Sequence, residues 1–177
     1  TKIDLSKKQH RLELDIEPTK IIVDENYDIF RKLHTQEIPP VISKIIDGNA
    51  LAVIDRADEK KFEKFKKIFP NFRYADTMKY DEIKNNNLLI LGAKNELLNK
   101  ITLPFAMQGD AKIELFKNPL NEACVIAVFD MNELSKSIFF KLQHLGKYST
   151  VVFSGEEILQ KSIKPSQKGV ILNIDTT

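Results

Sequence analysis

The sequence predicts an α/β fold: a Rossmann-like or flavodoxin-like, mostly parallel sheet with flanking helices, preceded by a short β-hairpin segment. Three observations predict it. Short apolar runs such as Leu51-Ala52-Val53-Ile54, Leu88–Leu91 and Cys124–Phe129 have the character of strands buried on both faces. Segments with helical spacing alternate with them, as at Phe62, Phe65 and Phe69. Near the start, Leu12, Leu14 and Ile16 alternate with Arg11, Glu13 and Asp15, the period of a strand with one wet face.

In chain order, residues 10–23 read as two short strands joined at Pro18-Thr19, the second being Ile21-Ile22-Val23. Two strands are marginal alone in water, so they belong to a sheet completed upstream or by a partner. Residues 24–42 form a polar connector anchored by Tyr27 and Phe30 and stiffened by Pro39-Pro40. The α/β region is expected over 43–177. In it a helix runs from an Asp58 cap to Phe69, where Pro70 ends it. Phe72-Arg73-Tyr74 is a strand, Lys79–Lys84 a brief helix, Leu88–Leu91 a strand and Glu96–Ile101 a helix. Ile113–Phe116 and Cys124–Phe129 are strands, and the stretch 104–124, with no clear helix, allows one antiparallel strand. Asp130 or Asn132 caps a helix over Glu133–Leu145, stopped by Gly146. Tyr148–Phe153 reads as a strand, Glu156–Lys161 as a short helix and Gly169–Ile174 as a last strand. The domains are then 1–23, 24–42 and 43–177.

Composition bounds function. The 177 residues carry 27 Lys+Arg and 25 Asp+Glu, a net charge of only +2, which is no basic nucleic-acid footprint. No uncharged stretch approaches the roughly 20 residues of a membrane span. The lone Cys124 lies in an apolar run and reads as a buried structural thiol. The chain begins with Thr1 and reads as a processed product or an excised piece, so its lack of a signal peptide is uninformative.

In an open parallel sheet, ligands bind beyond the carboxyl ends of the strands. The residues expected there are Asp55, Gly92, Lys94, Ser154 and Gly155. Glycine or serine at a helix start can offer N–H groups to an anion, and Lys94 adds charge. Asp55, Asp130, Glu156 and Glu157 would repel a phosphate, and no glycine-rich phosphate motif is present. Caps and tight turns are the favoured reading. Asp24-x-Asn26-x-Asp28 starts like a calcium loop, but Ile29 and Thr35 stand where glycine and a bidentate glutamate are needed. The lysines of the Asp58–Phe69 helix are interleaved with acids, and its phenylalanines face inward, so a solvated face is expected rather than a base-stacking surface. Ser154 lacks the flanking glycines of a nucleophile elbow. His10, His34 and His144 lie in three different segments, none followed by glutamate; His34 can pair with Glu37. No catalytic residue, metal or cofactor is implied.

The run Glu17-Pro18, Val23-Asp24-x-x-Tyr27-Asp28-Ile29-Phe30-Arg31-Lys32-Leu33 and Glu37-Ile38-Pro39-Pro40 resembles a stretch near the C-terminus of bacterial exported proteins similar to the aminopeptidase N type of gluzincin metallopeptidase. Lys117-Asn118-Pro119-Leu120-Asn121 and Val151–Gly155 look like pieces of the same C-terminal α/β segment. The family's H-E-x-x-H zinc signature is absent, so no ligand or catalytic glutamate carries over. The resemblance implies a non-catalytic accessory domain at the tail of a peptidase-like protein, exported to the periplasm or cell envelope. Its partners would be upstream domains of the same protein or another protein, and the N-terminal strands offer a surface for a homodimer. The competing expectation is a small-molecule-binding or sensing domain using the strand-end crevice. A free-standing hydrolase is the weakest.

Overall fold

The computed structural model describes residues 13–47, 49–132 and 136–174. It is made of two compact units. One comprises Thr1–Glu37 and Gln167–Thr177, the other Ile38–Ser166. The last strand therefore leaves the region expected over 43–177 and joins the unit that holds the start of the chain.

In the first unit, β1 (Lys20–Val23) pairs antiparallel with β9 (Val170–Asn173), Lys20 opposite Asn173 and Val23 opposite Val170. The expected local hairpin over residues 10–23 is not formed by the described part of that segment. Residues 13–19 carry no strand, and positions 10–12 lie outside the described residues. β1 instead takes its partner from the far end of the sequence.

The second unit is built on one seven-stranded mixed sheet, ordered β3-β2-β4-β6-β5-β7-β8. Its strands are β2 (Leu51–Ile54), β3 (Phe72–Tyr74), β4 (Leu88–Leu91), β5 (Ala111–Asn118), β6 (Asn121–Met131), β7 (Thr150–Ser154) and β8 (Glu157–Ser162). β3, β2, β4 and β6 run parallel. β5 is antiparallel to β6 and β7, and β7 is antiparallel to β8. This corrects the fold class. The molecule is mostly β, and it is not the helix-flanked Rossmann-like or flavodoxin-like α/β fold that the alternation suggested. Antiparallel hairpins supply half the sheet, and the helices are short: α1 (Ser43–Ile46), α2 (Glu63–Ile68), α3 (Tyr80–Asn85), α4 (Glu96–Ile101) and α5 (Lys136–Gln143).

Local chemistry explains the departures. The expected Asp58–Phe69 helix is broken into a 3-10 turn at Arg56–Asp58 and the six residues of α2. Glu156–Lys161 is not a helix. Gly155, at φ +53°, opens a tight turn after β7, and β8 follows as a strand. Asn118-Pro119-Leu120-Asn121 turns β5 into β6. Asn118 is buried, its Oδ1 accepts from Leu120 N at 3.0 Å, and its Nδ2 donates to Ile83 O at 2.6 Å.

Both faces of the sheet are apolar. On one, Ala52, Ile54, Leu89, Leu91, Ala127 and Phe129 pack with Ile42, Ile45, Phe62, Phe65, Phe69, Ile138 and Leu142. On the other, Leu51, Val53, Leu88, Ile90, Ile126 and Val128 pack with Ala75, Ile83, Leu97 and Leu98. Each Val, Leu, Ile or Phe among them taken fully out of water contributes about 1.5–3 kcal/mol. Gly109 is a point of close approach. Its φ is +65°, and a Cβ there would lie 2.3 Å from the Phe153 carbonyl oxygen. Asp110 N donates to that same oxygen at 2.8 Å and holds the entry of β5 against β7. Gly109→Ala is expected to cost about 1–3 kcal/mol through backbone strain, with the clash adding to it. A fall in the urea midpoint at unchanged slope would register it, and a midpoint equal to that of the parent chain would refute it.

Candidate functional site

The carboxyl ends of the parallel strands are where a ligand crevice was expected. There the backbone of α4 begins beside the ends of β2 and β4, and two side chains close the gap. Asn95 is fully buried. Its Oδ1 accepts from Leu97 N at 3.0 Å, and its Nδ2 donates to Leu91 O at 3.1 Å and to Val53 O at 3.4 Å. One amide thus caps α4 and ties it to the last carbonyl of β4 and the next-to-last carbonyl of β2. Asp55, directly after β2, accepts from Glu96 N through both oxygens, at 3.1 and 3.4 Å. The N–H groups that an anion would need are already taken by the protein.

Gly92 follows β4 with φ +97° and donates its N–H to Phe129 O at 2.9 Å. A Cβ on it would lie 2.8 Å from Asp58 Oδ2. The turn and the neighbouring carboxylate account for this glycine without a phosphate. Lys94 stands exposed beside the cap.

The surrounding electrostatics are acidic and partly compensated. Burial first, then the negative charges of Glu96, Asp58 and Asp76, push the Asp55 carboxyl above the usual carboxylate range. Arg56 Nε reaches Asp76 at 2.8 Å, and its guanidinium lies 4.1 Å from the Tyr74 ring centre. Lys61 meets Asp130 at 2.7 Å, and Lys66 meets Glu59, which also accepts from the Tyr74 hydroxyl at 2.8 Å. So Lys61 and Lys66 are paired with acids in the fold. Phe62 and Phe65 are buried in the core and do not face solvent.

Ser154 and Gly155 do not join this group. β7 runs parallel to β6, so they lie at the same edge of the sheet, but β6 and β5 intervene between β7 and β4. Three strand spacings separate them from Gly92, about 14 Å. Gly155 N donates to Asp110 Oδ2 at 2.7 Å, and the Ser154 hydroxyl lies 3.4 Å from the same oxygen. The five expected residues therefore make two separate self-satisfied turns and not one crevice. Among the described residues, no group of three or more His, Cys, Asp or Glu side chains is placed to hold a metal. No helix there is long and apolar enough to cross a membrane.

The strongest charge cluster lies in the other unit. Arg31 grips Glu37 with two nitrogens, at 2.8 and 2.7 Å, and Asp24 through Nε at 2.8 Å. Both carboxylates are buried. Asp24 also accepts from Ile29 N at 3.0 Å, and Glu37 from His34 N at 2.8 Å. His34 therefore meets Glu37 through its backbone. The segment that began like a calcium loop is a turn closed by a guanidinium. His144 is exposed after α5, and His10 lies outside the described residues. Cys124 is half-buried, and burial pushes its thiol pKa up. Sequence reasoning missed Asn95 and Arg31. The signal for Asn95 was present, an asparagine directly before Glu96-Leu97-Leu98.

Two expectations follow. Asn95→Ala leaves the α4 cap and two strand carbonyls short of partners and should destabilise Ile38–Ser166 by about 1–3 kcal/mol in chemical unfolding; a loss under a few tenths would contradict this account. Arg31 holds the Glu37 carboxyl down from 4.5 to about 2. A folded-state pKa depressed in this way contributes stability that is complete above pH 4.5 and lost as the pH falls toward 2. Glu37→Gln should therefore loosen the β1–β9 unit above pH 4.5 and make no difference near pH 2, read from the amide chemical shifts of Ile21–Val23 and Val170–Leu172. A Glu37→Gln effect independent of pH would refute the pairing. Compared with known protein families, curated proteins and solved structures, the chain matches none of them.

Proposed function

We propose that this chain is a non-catalytic accessory domain whose Thr1–Glu37 and Gln167–Thr177 unit docks on neighbouring domains of a larger protein or on a partner protein. One observation carries the reading. Of the fifteen large apolar residues that are exposed among those described, nine belong to that small unit: Leu14, Ile16, Ile21, Val23, Tyr27, Ile29, Phe30, Leu33 and Leu172. Its sheet has only two strands, and β1 and β9 contribute no buried residue. Two-stranded ribbons are marginal by themselves, and an apolar cluster of this density marks an interaction surface. The Arg31 cluster holds the segment in shape while its apolar residues remain outward. The internal capping of Asp55 and Asn95 favours a scaffold over a ligand crevice at the strand ends.

The resemblance of residues 17–40 to the tail of aminopeptidase N type gluzincins supplies the rest of the proposal. The parent would be a peptidase-like exported protein working in the periplasm or cell envelope. Its zinc chemistry would lie outside this chain, and β1 would extend a sheet of the preceding domain.

An antibody to this chain, used on its source cells, tests the idea by the mass of the native species. A particle several times the 20.3 kDa of the chain is expected. In it Ile16 and Phe30 should be shielded from carbene labelling that modifies them in the isolated chain. A native species of about 20 kDa, with both residues labelled as in the isolated chain, would overturn the proposal.

A further inference from the structure

We propose that the cleft at the C-terminal end of α4 binds a small apolar monocarboxylate. The cleft lies within the unit Ile38–Ser166 and measures about 320 Å³. Small-molecule sites span roughly 300–1,000 Å³, so it has room for one modest ligand. Three elements meet there. α3 brings Tyr80 and Ile83, α4 brings Lys100, Ile101 and its capping residue Thr102, and the β5–β6 turn brings Leu120. The fold sets their spacing. Buried Asn118 donates to the carbonyl of Ile83 at 2.6 Å and accepts from the N–H of Leu120 at 3.0 Å. Thr102 N and Leu103 N both donate to Leu98 O and close the end of α4. Walls tied in this way are formed before a ligand arrives, which spares the ordering cost of binding.

Charge selects the ligand. Ile83, Ile101 and Leu120 give the cleft an apolar lining, and no carboxylate lines it. Lys100 is its one charged side chain. Among the described residues that ammonium pairs with no acid, and its single hydrogen bond is a long one, 3.4 Å to Ala75 O. The hydroxyls of Tyr80 and Thr102 have no protein partner among the described residues. A carboxylate on an apolar body answers this arrangement, since a hydrogen bond between two ionised groups is of the strong kind. A cationic head would face Lys100 with no acid to offset it, and a second negative charge would lack a counter-ion.

Thr102 carries an independent mark. Its φ is +53°, in the left-handed region where a β-branched residue is strained and where glycine commonly ends a helix. What threonine adds over glycine at this strained position is a hydroxyl.

A titration of the full chain with hexanoate, followed by amide proton and nitrogen chemical shifts, tests the site and does not depend on what the small unit docks against. Saturable shifts are expected at Ile83, Ile101, Thr102 and Leu120. Hexan-1-ol and hexylammonium should bind about tenfold more weakly, the scale of one charge-assisted hydrogen bond. Lys100→Met keeps the apolar stem, and should weaken hexanoate to the level of the alcohol. Binding of the alcohol itself should not change in this variant, which separates a lost charge from a collapsed cleft. Thr102→Gly should raise the urea midpoint while weakening hexanoate about threefold, the scale of one neutral hydrogen bond. Both positions are exposed, and unchanged circular dichroism verifies folding. No saturable shift at these residues with millimolar hexanoate would overturn the proposal. So would equal affinity for the acid, the alcohol and the ammonium, or a Lys100→Met chain that binds hexanoate as the parent does.

Discussion

Strand β6 is the constraint on which the large sheet depends. It pairs with β4 in parallel on one side and with β5 in antiparallel on the other. Its Val125–Phe129 stretch is buried on both faces, with Ala127 and Phe129 in one core and Ile126 and Val128 in the other. A strand in this position cannot slip by one residue without exchanging the two cores. The Asn118–Asn121 turn fixes one end of its register, and Asn87 Oδ1, accepting from Val125 N at 2.9 Å, fixes it again from the parallel side. Everything outward of β6, from β4 to β3 and from β5 to β8, is placed by successive pairing to this one strand.

The strand-end chemistry shows where the sheet's polar potential goes. A parallel array normally leaves helix N-termini facing a crevice. Here Asp55 and Asn95 meet those N–H groups and Asp58 crowds Gly92, so the edge is closed by the chain's own side chains. The nearby carboxylates are partly balanced by Arg56 and Lys61. Polar and charged groups at this end serve the joints between strand and helix. In the small unit the balance is reversed. There Asp24 and Glu37 are gathered inward on Arg31, while many of the unit's apolar groups face out.

What the sequence revealed and what it hid divide along a physical line. The apolar runs at Leu51–Ile54, Leu88–Leu91 and Cys124–Phe129 were legible as strands because burial on both faces leaves a mark in composition alone. Glu157–Ser162 was not, because all six residues are exposed and its strand state comes from bonding to β7. The pairing of β1 with β9 was equally hidden, since neither strand signals a partner at the opposite end of the chain. Of the site, the individual residues were legible as caps and turn formers. Their grouping was not, because the distance between Gly92 and Ser154 depends on strand order, and the antiparallel insertion of β5 sets it.

The register of the small sheet also fixes how the molecule bears load. Lys20 faces Asn173 at the outer end of the pair, and Val23 faces Val170 at the inner end. Tension applied through the chain before Lys20 and after Asn173 therefore peels β1 from β9 starting at Lys20, one hydrogen bond at a time. Strands pulled that way open like a zipper and yield at low force, whereas strands sheared along their length must break several bonds together. The β1–β9 pair is thus the part of its own unit that yields first when the chain is pulled from these two points.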